Sequence, residues 1–532
     1  MDFDAYSFPS RRSNVIARHG MVATSQPLAA QAGLAVLQRG GNALDAAIAA
    51  VATLCVVEPS STGVGGDAFA LIWSAQEQKL FGLNASGPSP ARLTAEWVRE
   101  QGHEEMPTLG PIAVTVPGSL RGWEAALERF GSMELGELLQ QPIEYAENGF
   151  PVSQFIARSW ARSEEKMSKH PDSRRVWLPQ GRAPRPGELF RNPEFAATLR
   201  AIAERGVDAF YTGEIGRQIV ETVQEAGGLL SESDLAEYCA EWVEPIQCDY
   251  RDGYTFHEIP PNGQGLTALL ALNIVRGFDL PALEYDDPDR LHILMEAMKL
   301  AFADAQAYIA DPRQASIPLD GLLSESYTAE RRALINMERA LMPRPGEPQH
   351  HGDTVYLTVA DEAGNMVSWI QSLYMGFGSG LTAGNTGVQL QNRGANFTLE
   401  PGHPNEVGPG KRPYNTIIPG FITREGQPWA SFGVMGGFMQ PQGHLQVGVN
   451  LIDYNMDPQT ALDAPRFCWQ KGRQVSLEKS FPQAVQEAMA QRGHEVSHTG
   501  YYGGGQVIIR DPQSGVLIAG TEPRNDGAAV GW

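Results

Sequence analysis

The sequence has few of the features that mark disulfide-rich, metal-binding or membrane-spanning proteins. Its 532 residues include 4 scattered cysteines and no CxxC pair, which indicates neither a zinc ribbon nor a disulfide framework. The most apolar run, AAIAAVATLCVV (46–57), is too short to span a bilayer and predicts a buried helix. The first residues lack the apolar core of a secretory signal, so we expect a cytoplasmic protein without a membrane partner.

The charge balance excludes a further class of partner. The chain has 41 lysines and arginines against 62 aspartates and glutamates, and its formal net charge is −21. This surplus repels nucleic acid and anionic membranes, and we expect neither as a partner. Apolar residues make up 42% of the chain and glycines number 57, which is typical of a globular protein with many tight turns.

The apolar pattern changes along the chain and predicts a layered fold. Helical periodicity dominates from about 91 to 240 and over 289–312, whereas 354–532 is rich in short strands. Strand blocks with helices outside them indicate α/β packing, layered in the α+β sense, with antiparallel sheets. Between the two parts, 337–353 combines prolines, charges and histidines without periodicity, and predicts an exposed, flexible linker.

Thr354 stands where this polar linker meets a strand. The segment TVYLTVA, the turn DEAGN and the segment MVSWIQS predict a hairpin. Symmetric closure of the turn pairs Ala360 with Met366 and Thr354 with Ser372, whose Cβ atoms would lie roughly 4.5–5.5 Å apart. The two hydroxyls would then be within hydrogen-bond reach, whereas a one-residue slip of the strands would separate them.

A threonine in this position supports two interpretations. Threonine is a good strand former, and Ser372 could be a solvated edge residue. Alternatively, cleavage of the linker would make Thr354 a chain terminus, and its α-amine would serve as base for its own hydroxyl. An α-amine with a pKa of about 7.7–8.0 suits that role near neutral pH better than a lysine with a pKa of about 10.4.

Motifs along nearly the whole chain favour the second interpretation. They are GMVATSQPLAAQAGLAVLQRGGNALDAAIA, EPSSTGVGGDAF, VPGSLRGWEAALERFG, LSESDLAEY, IPPNGQG, MEAMKLAFAD, GDTVYLTVADEAGNMVS, PGKRPYNTIIP, GVMGG and APRF. Through them the chain resembles the γ-glutamyltranspeptidase family of N-terminal-nucleophile hydrolases. The resemblance implies a four-layer αββα sandwich. It also implies a precursor that cuts itself into a large subunit, 1–353 with the linker, and a small catalytic subunit, 354–532, intertwined as one domain.

The same resemblance assigns the catalytic positions. Thr354 is the expected nucleophile, and the bond between Asp353 and Thr354 is the expected cleavage site. Ser372 stands where the family has a second threonine bonded to the first, and it keeps the hydroxyl without the methyl group. Gly436 and Gly437 match the glycines whose N–H groups form the oxyanion hole. No metal and no organic cofactor is implied.

The positions that bind the substrate's acyl group depart from the family pattern. Ser86 replaces the arginine that grips the glutamyl α-carboxylate, and Asn415 and Thr416 replace two serines that assist it. The family holds the α-amino group with Asn, Gln and Asp, and the matching residues here are Tyr374, Arg393 and Asn396. An arginine at this place would repel an ammonium but could pair with a carboxylate.

Two substrate classes and two other functions therefore remain open. The resemblance implies hydrolysis or transfer of the γ-glutamyl group of glutathione and related amides through an acyl-threonine. The altered positions would also suit an acylase acting on glutaryl-type, cephalosporin-like or other acyl amides. An uncleaved binding protein is the alternative of another class. The oligomeric state of the two-subunit product, including a homo-oligomer, is left open.

A zinc hydrolase is the remaining alternative, because HEVSH (494–498) fits the H-E-x-x-H motif. That motif requires a helix that places both histidines on one face. Gly493 stops the preceding helix, so we predict a short strand and no metal site. His292 and Glu296, one helical turn apart, predict helix packing or a surface contact.

Overall fold

The computed structural model describes residues 12–342 and 353–532. Its strands are β1 (Val15–Ala17), β2 (Gly20–Thr24), β3 (Asp67–Ser74), β4 (Lys79–Ala85), β5 (Phe150–Pro151), β6 (Leu189–Phe190), β7 (Glu241–Val243), β8 (Ile246–Tyr250), β9 (Tyr254–Glu258), β10 (Asp353–Asp361), β11 (Met366–Tyr374), β12 (Thr382–Ala383), β13 (Val388–Gln389), β14 (Gly420–Arg424), β15 (Gln427–Met435), β16 (Phe467–Lys471), β17 (Gln474–Leu477), β18 (Glu495–Ser497), β19 (Gly504–Arg510), β20 (Leu517–Thr521) and β21 (Ala528–Gly531).

The helices form outer layers around the strands. They are α1 (Pro27–Gln38), α2 (Ala43–Val57), α3 (Ala95–Glu100), α4 (Ser119–Phe130), α5 (Leu135–Leu138), α6 (Gln140–Asn148), α7 (Gln154–Arg162), α8 (Glu164–Ser168), α9 (Pro171–Trp177), α10 (Pro193–Arg205), α11 (Asp208–Tyr211), α12 (Glu214–Glu225), α13 (Glu232–Ala236), α14 (Gly265–Val275), α15 (Pro288–Tyr308), α16 (Leu319–Leu322), α17 (Glu325–Arg332), α18 (Met439–Ile452), α19 (Pro458–Asp463) and α20 (Gln483–Gln491). Short 3₁₀ helices cover Pro111–Ala113, Leu280–Ala282 and Arg393–Asn396.

Two seven-stranded sheets form the centre of the described chain. The first has the order β21-β2-β10-β11-β3-β4-β7, and the second has the order β1-β20-β19-β15-β14-β9-β8. In the first sheet, β10 and β11 lie between β2 and β3, so strands from before and after residue 353 alternate. Cutting the chain before Thr354 would therefore leave the two parts joined by backbone ladders on both sides of this hairpin.

The hydrophobic cores define four layers. One core joins the outer face of the first sheet to α1, α2 and neighbouring helices. A second core joins the outer face of the other sheet to α14, α15 and α18. Side chains such as Phe69, Ile370 and Phe421 fill the space between the two sheets. This αββα arrangement confirms the predicted fold class.

Several local predictions are confirmed as well. The apolar run 46–57 lies within α2, which is buried along its whole length and capped by a box between Asn42 and Asp45. The predicted helix over 289–312 is α15, which ends earlier, at Tyr308. Within the described ranges, no helix has both the length and the apolar character that a bilayer span requires. Most of the predicted linker 337–353 lies outside the described residues.

Candidate active site

The β10–β11 hairpin has the predicted register, with one irregularity at its open end. Ala360 pairs with Met366, as the symmetric closure requires. The ladder continues to Val355 and then shifts, so that Asp353 pairs with Tyr374. The shift places a β-bulge opposite Thr354, and such bulges re-aim side chains at strand ends.

Thr354 is directed into the space between the sheets. Alternate residues Val355 and Leu357 pack on the outer helices, whereas Tyr356 lies in the inter-sheet core. By the two-residue period of a strand, Thr354 shares the face of Tyr356. Its side chain is 3% exposed. The nucleophile that the sequence predicts is therefore a shielded hydroxyl at the rim of the sandwich.

Among the described residues, two polar side chains contact the Thr354 hydroxyl. Thr354 Oγ1 donates to Ser372 Oγ at 3.3 Å, which is the contact that the hairpin arithmetic predicts. Ser372 Oγ also accepts from the Tyr374 N–H at 2.7 Å. Gln440 Nε2, from the first turn of α18, lies 3.5 Å from Thr354 Oγ1, and its Oε1 accepts from the Ile418 N–H. The sequence analysis does not include Gln440. The available signal is its position four residues after Gly436, at the start of a helix.

Gly436 and Gly437 join the end of β15, in the second sheet, to the start of α18. Their φ angles of 127° and 59° lie where only glycine is unstrained. A Cβ added at Gly436 would lie 2.5 Å from Cε1 of Tyr501. The Met439 and Gln440 N–H groups bond to the two glycine carbonyls, which fixes both peptide units at a helix N-terminus. Such a position favours developing negative charge.

Arg393 is the charged centre of the predicted substrate-binding positions. Its side chain is fully buried, and its guanidinium stacks over the Tyr374 ring at 4.6 Å. Nη1 donates to Thr416 Oγ1 at 2.8 Å, and Nε lies 3.7 Å from Asp67 Oδ2. Burial lowers the pKa of Arg393 to about 10, and Asp67 opposes that shift. The guanidinium therefore remains charged at neutral pH.

Asp67 is a member of this site that sequence reasoning missed. It ends the glycine-rich segment STGVGGD, and it lies opposite Ser372 in the ladder between β3 and β11. Burial raises the pKa of Asp67 to about 6, and Arg393 is the main opposing influence. The Asn415 amide donates to Asp67 Oδ2 at 3.2 Å, which joins Asn415 to the same carboxylate as Arg393.

Within the described residues, Nε and Nη2 of Arg393 make no hydrogen bond, and Nε has only the ion pair with Asp67 at 3.7 Å. The Asn396 side chain interacts with the Tyr374 hydroxyl. A buried donor without a hydrogen bond is costly, and a guanidinium with such N–H groups matches a carboxylate. The Ser86 hydroxyl is bound in a separate network with Asn84 and Asn262.

The HEVSH segment forms a strand, as predicted, but one of its histidines enters a buried cluster. His494 Nε2 lies 3.0 Å from His292 Nδ1 and 3.8 Å from Glu296 Oε1, a set that could hold a metal ion. Lys299 Nζ, however, lies 3.3 Å from His494 Nδ1 and 2.7 Å from Glu296 Oε1. The ammonium donates to Nδ1, so Nε2 carries the proton and points it at His292. With the proton on His494 Nε2 and directed at His292 Nδ1, neither nitrogen has a free lone pair for a metal ion.

The cluster also explains the pair His292 and Glu296, which packs in the core and makes no surface contact. His292 Nε2 bonds to the Asn336 carbonyl, and Glu296 Oε2 accepts from the Leu341 N–H. The cluster thus ties the end of the described segment before residue 343 to His494, beyond the predicted cleavage point.

Lowering the pH from 7 to 5 is expected to destabilise the protein by about 2 kcal/mol through His494 alone. Burial lowers its pKa to about 2, and the charges of Lys299 and Arg492 and the His292 ring act in the same direction. Below about pH 6.5, His494 takes up a proton in the unfolded chain but stays neutral in the folded chain. Protonation of His494 therefore costs no stability above pH 6.5. The free energy of unfolding then decreases as the pH falls from 6.5 toward 2.

The measurement is the urea midpoint at pH 7 and pH 5 for the wild type and for His494→Asn. The variant should show a smaller loss between the two pH values, whatever its stability at pH 7. His498→Asn is the matched control, because His498 belongs to the same motif but is exposed. Equal pH dependence in all three proteins would contradict the assignment.

Comparisons with known proteins agree with this architecture. Residues 29–532 match the family described as gamma-glutamyltranspeptidase. The glutathione hydrolase-like YwrD proenzyme of Bacillus subtilis (strain 168) is 38% identical over 528 residues, which cover 97% of this chain and 99% of the relative. The acylase ACY 1 proenzyme of Pseudomonas sp. (strain SE83) is 36% identical over 521 residues, 96% of this chain and 93% of the relative. The crystal structure of cephalosporin acylase from Bacillus halodurans has a TM-score of 0.95 at 50% identity, with 99% of this chain and 98% of that one covered.

These matches extend over nearly the whole chain and combine sequence identity with the same fold. Two of the relatives are named proenzymes, and the three names describe a hydrolase-like protein and two acylases. The chain therefore belongs to the γ-glutamyltranspeptidase family and is an enzyme of its N-terminal-nucleophile hydrolase or transferase type.

Proposed function

We propose that the chain is a precursor that cuts itself before Thr354. The Thr354 hydroxyl attacks the carbonyl carbon of Asp353, the peptide C–N bond breaks, and an ester forms. Water then hydrolyses the ester, which releases the carboxylate of Asp353 and the α-amine of Thr354. The observation that carries this proposal is the shielded Thr354 hydroxyl bonded to Ser372 at the end of the linker. The names of the proenzyme relatives support it.

In turnover, the same hydroxyl attacks the carbonyl carbon of an amide substrate. The free α-amine takes the hydroxyl proton and passes it to the departing amine. Gly436 and Gly437 stabilise the negative charge on the carbonyl oxygen, and Ser372 and Gln440 orient the hydroxyl. An acyl-Thr354 ester remains, and water, an amino acid or a peptide takes the acyl group. Two half-reactions of this kind give ping-pong kinetics.

We further propose that the acyl group carries a carboxylate. The support is the buried guanidinium of Arg393, whose Nε and Nη2 make no hydrogen bond within the described residues. A glutaryl amide supplies the carboxylate alone, and this is the first candidate substrate. A γ-glutamyl amide, such as glutathione, adds an ammonium, and it is the second candidate because Asp67 offers a carboxylate at the same site.

The first test is the intact mass of the purified protein after incubation near neutral pH. We expect two species, with masses of residues 1–353 and residues 354–532, that elute together under native conditions. Co-elution is expected because β10 and β11 pair with β2 and β3 of the other subunit. The elution volume also measures any homo-oligomer of the two-subunit enzyme.

A denatured sample incubated in parallel is the control, since self-cleavage requires the folded site. A single species of 57.8 kDa in the folded sample would contradict self-processing and would favour an uncleaved binding protein. Cleavage at another bond would contradict the assignment of Thr354.

A further inference from the structure

Gln264, in the motif IPPNGQG, is a buried side chain that joins two parts of the site and has no role in the mechanism above. It directly precedes α14, and its side chain is fully shielded from solvent. Its Nε2 donates to the Gly437 carbonyl at 2.9 Å and to the Thr416 carbonyl at 2.5 Å. Thr416 in turn accepts a hydrogen bond from Arg393. One side-chain amide therefore holds the oxyanion loop, residues 436–438, beside the predicted acyl-binding positions.

The orientation of this amide follows from its three neighbours. Carbonyl oxygens only accept hydrogen bonds, so the group that faces Gly437 and Thr416 has to be the NH₂ group. Oε1 then faces the Tyr414 hydroxyl, which donates to it at 3.0 Å. A glutamate has the same shape but would direct an oxygen at the two carbonyl oxygens. The position therefore depends on the donors of a glutamine and not only on its volume.

The main chain around Gln264 is held by hydrogen bonds to Asn415. The Gln264 N–H donates to the Asn415 carbonyl at 3.0 Å, and the Asn415 N–H donates to the Asn262 carbonyl at 2.8 Å. Gly263, between them, forms a parallel bridge with Asn415. A buried side chain on a fixed main chain has little freedom, which suits it to position a neighbouring group.

The contact with Gly437 constrains the loop that is expected to bind the oxyanion. The Gly437 carbonyl accepts from Gln264 and, at 3.2 Å, from the Gln440 N–H in the first turn of α18. Consecutive glycines have wide conformational freedom, so the direction of their N–H groups depends on such contacts. The Phe438 ring packs against Tyr414, the residue that also orients the Gln264 amide. Gln264 and Tyr414 thus support the loop from the same side.

Gln264 lies before the proposed cleavage point, whereas Gly437 lies after it. We infer that Gln264 is a positioning residue: from the proposed large subunit, it holds the oxyanion loop of the small subunit in its catalytic geometry. The inference rests on the proposed amide hydrolysis and adds a residue that acts through Gly437. An oxyanion forms when the acyl group is transferred to Thr354 and again when it leaves, so the loop acts in both half-reactions. Changes at Gln264 should therefore lower kcat far more than they raise KM.

The test uses Gln264→Met, which keeps the length of the side chain and removes both N–H donors. Its substrates are glutaryl p-nitroanilide and butyryl p-nitroanilide, which has no carboxylate for Arg393. Loss of a whole oxyanion donor costs about 10²–10³-fold in kcat, and this variant only displaces one. We therefore expect kcat to fall about 10- to 100-fold, by the same factor for both anilides. KM should change by less than about 3-fold for either substrate.

Gln446→Met is the matched control, since Gln446 lies further along α18 and is buried with the same pattern of hydrogen bonds. Its Nε2 donates to the Gln442 and Phe467 carbonyls, and its Oε1 accepts from the Phe467 N–H. This variant removes equivalent buried bonds away from the oxyanion loop and should keep the wild-type kcat. The value of kcat is expressed per mole of small subunit, measured by intact mass, so that incomplete self-cleavage does not lower it.

Tyr414→Phe is the second variant and replaces Gln264→Met if that protein does not cleave itself. It removes only the hydroxyl that orients the Gln264 amide, so kcat should fall about 2- to 10-fold for both anilides. An unchanged kcat in the Gln264 variant, or in Tyr414→Phe if the former is not cleaved, would overturn the inference.

Two other results would also overturn the inference while leaving amide hydrolysis intact. One is an equal fall of kcat in Gln446→Met, which would mean that any lost buried bond has this effect. The other is a raised KM for the glutaryl anilide alone, which would place the effect of Gln264 at Thr416 and Arg393. Failure of the wild type to hydrolyse either anilide would overturn the proposed function itself, and the inference with it.

Discussion

Thr354→Ala is expected to remain a single chain of about 57.8 kDa and to lose hydrolysis of every amide substrate. The substitution removes the hydroxyl that, in the proposed mechanism, attacks both the Asp353 carbonyl and a substrate carbonyl. Loss of the nucleophile in comparable acyl-transfer enzymes costs at least about 10⁴-fold in kcat. Intact mass and anilide hydrolysis, measured on the same preparation, give the two readouts.

Thr354→Ser is the matched control for this prediction. It keeps the hydroxyl and loses the methyl group that restricts its rotamers, so cleavage should be slower but complete. Two subunits in the serine variant and one chain in the alanine variant would separate the chemistry of the hydroxyl from the packing of the side chain. Normal turnover in the alanine variant would refute the assignment of Thr354.

The part of this structure that the sequence predicts well depends on short-range pattern. The buried helix α2 follows from an uninterrupted apolar run with a capping residue before it. The hairpin register follows from a five-residue turn and alternation of apolar residues, and it places Thr354 beside Ser372. The bulge opposite Thr354 cannot be predicted in this way, because the alternation of side chains does not show where one strand has an extra residue.

The rest of the site depends on contacts between distant segments. Asp67 follows a glycine loop typical of a turn, and only the pairing of β3 with β11 brings it to Arg393. Gln440 reaches Thr354 because the two sheets stack face to face. The cluster of His292 and His494 joins segments that are 202 residues apart. The periodicity of a single sequence does not predict which of these distant segments come into contact.

Arg393→Ala is expected to raise KM for a glutaryl anilide by about 10- to 100-fold with a smaller change in kcat. A hydrogen-bonded pair with a charged partner contributes about 1.5–3 kcal/mol, and the carboxylate lies away from the reacting carbonyl. The KM of Arg393→Lys should lie between those of the wild type and Arg393→Ala, because lysine keeps the charge and loses the planar guanidinium. The matched substrate is a butyryl anilide, which lacks the carboxylate and should be hydrolysed by all three proteins with similar KM.

Equal KM values for the glutaryl anilide in all three proteins would contradict a role of Arg393 in binding the acyl group. Folding is checked by the intact mass, since self-cleavage reports a formed Thr354 site. Asp67 would still accept from the Gly87 N–H, Gln391 and Asn415 after the substitution, so its buried carboxyl group keeps hydrogen-bond partners.

The same variant distinguishes the two candidate acyl groups, because a γ-glutamyl group is a glutaryl group with an added ammonium. Beside Arg393 an ammonium is repelled, so the wild type should favour the glutaryl over the γ-glutamyl anilide. Removing the guanidinium relieves the repulsion, so this preference should shrink in Arg393→Ala. It should not reverse, because loss of Arg393 also raises the pKa of the buried Asp67 carboxyl and so favours its neutral form. A wild-type preference for the γ-glutamyl anilide would instead mean that Asp67 holds the ammonium while Arg393 holds the carboxylate. In that case Asp67→Asn should lower activity on the γ-glutamyl anilide far more than on the glutaryl anilide.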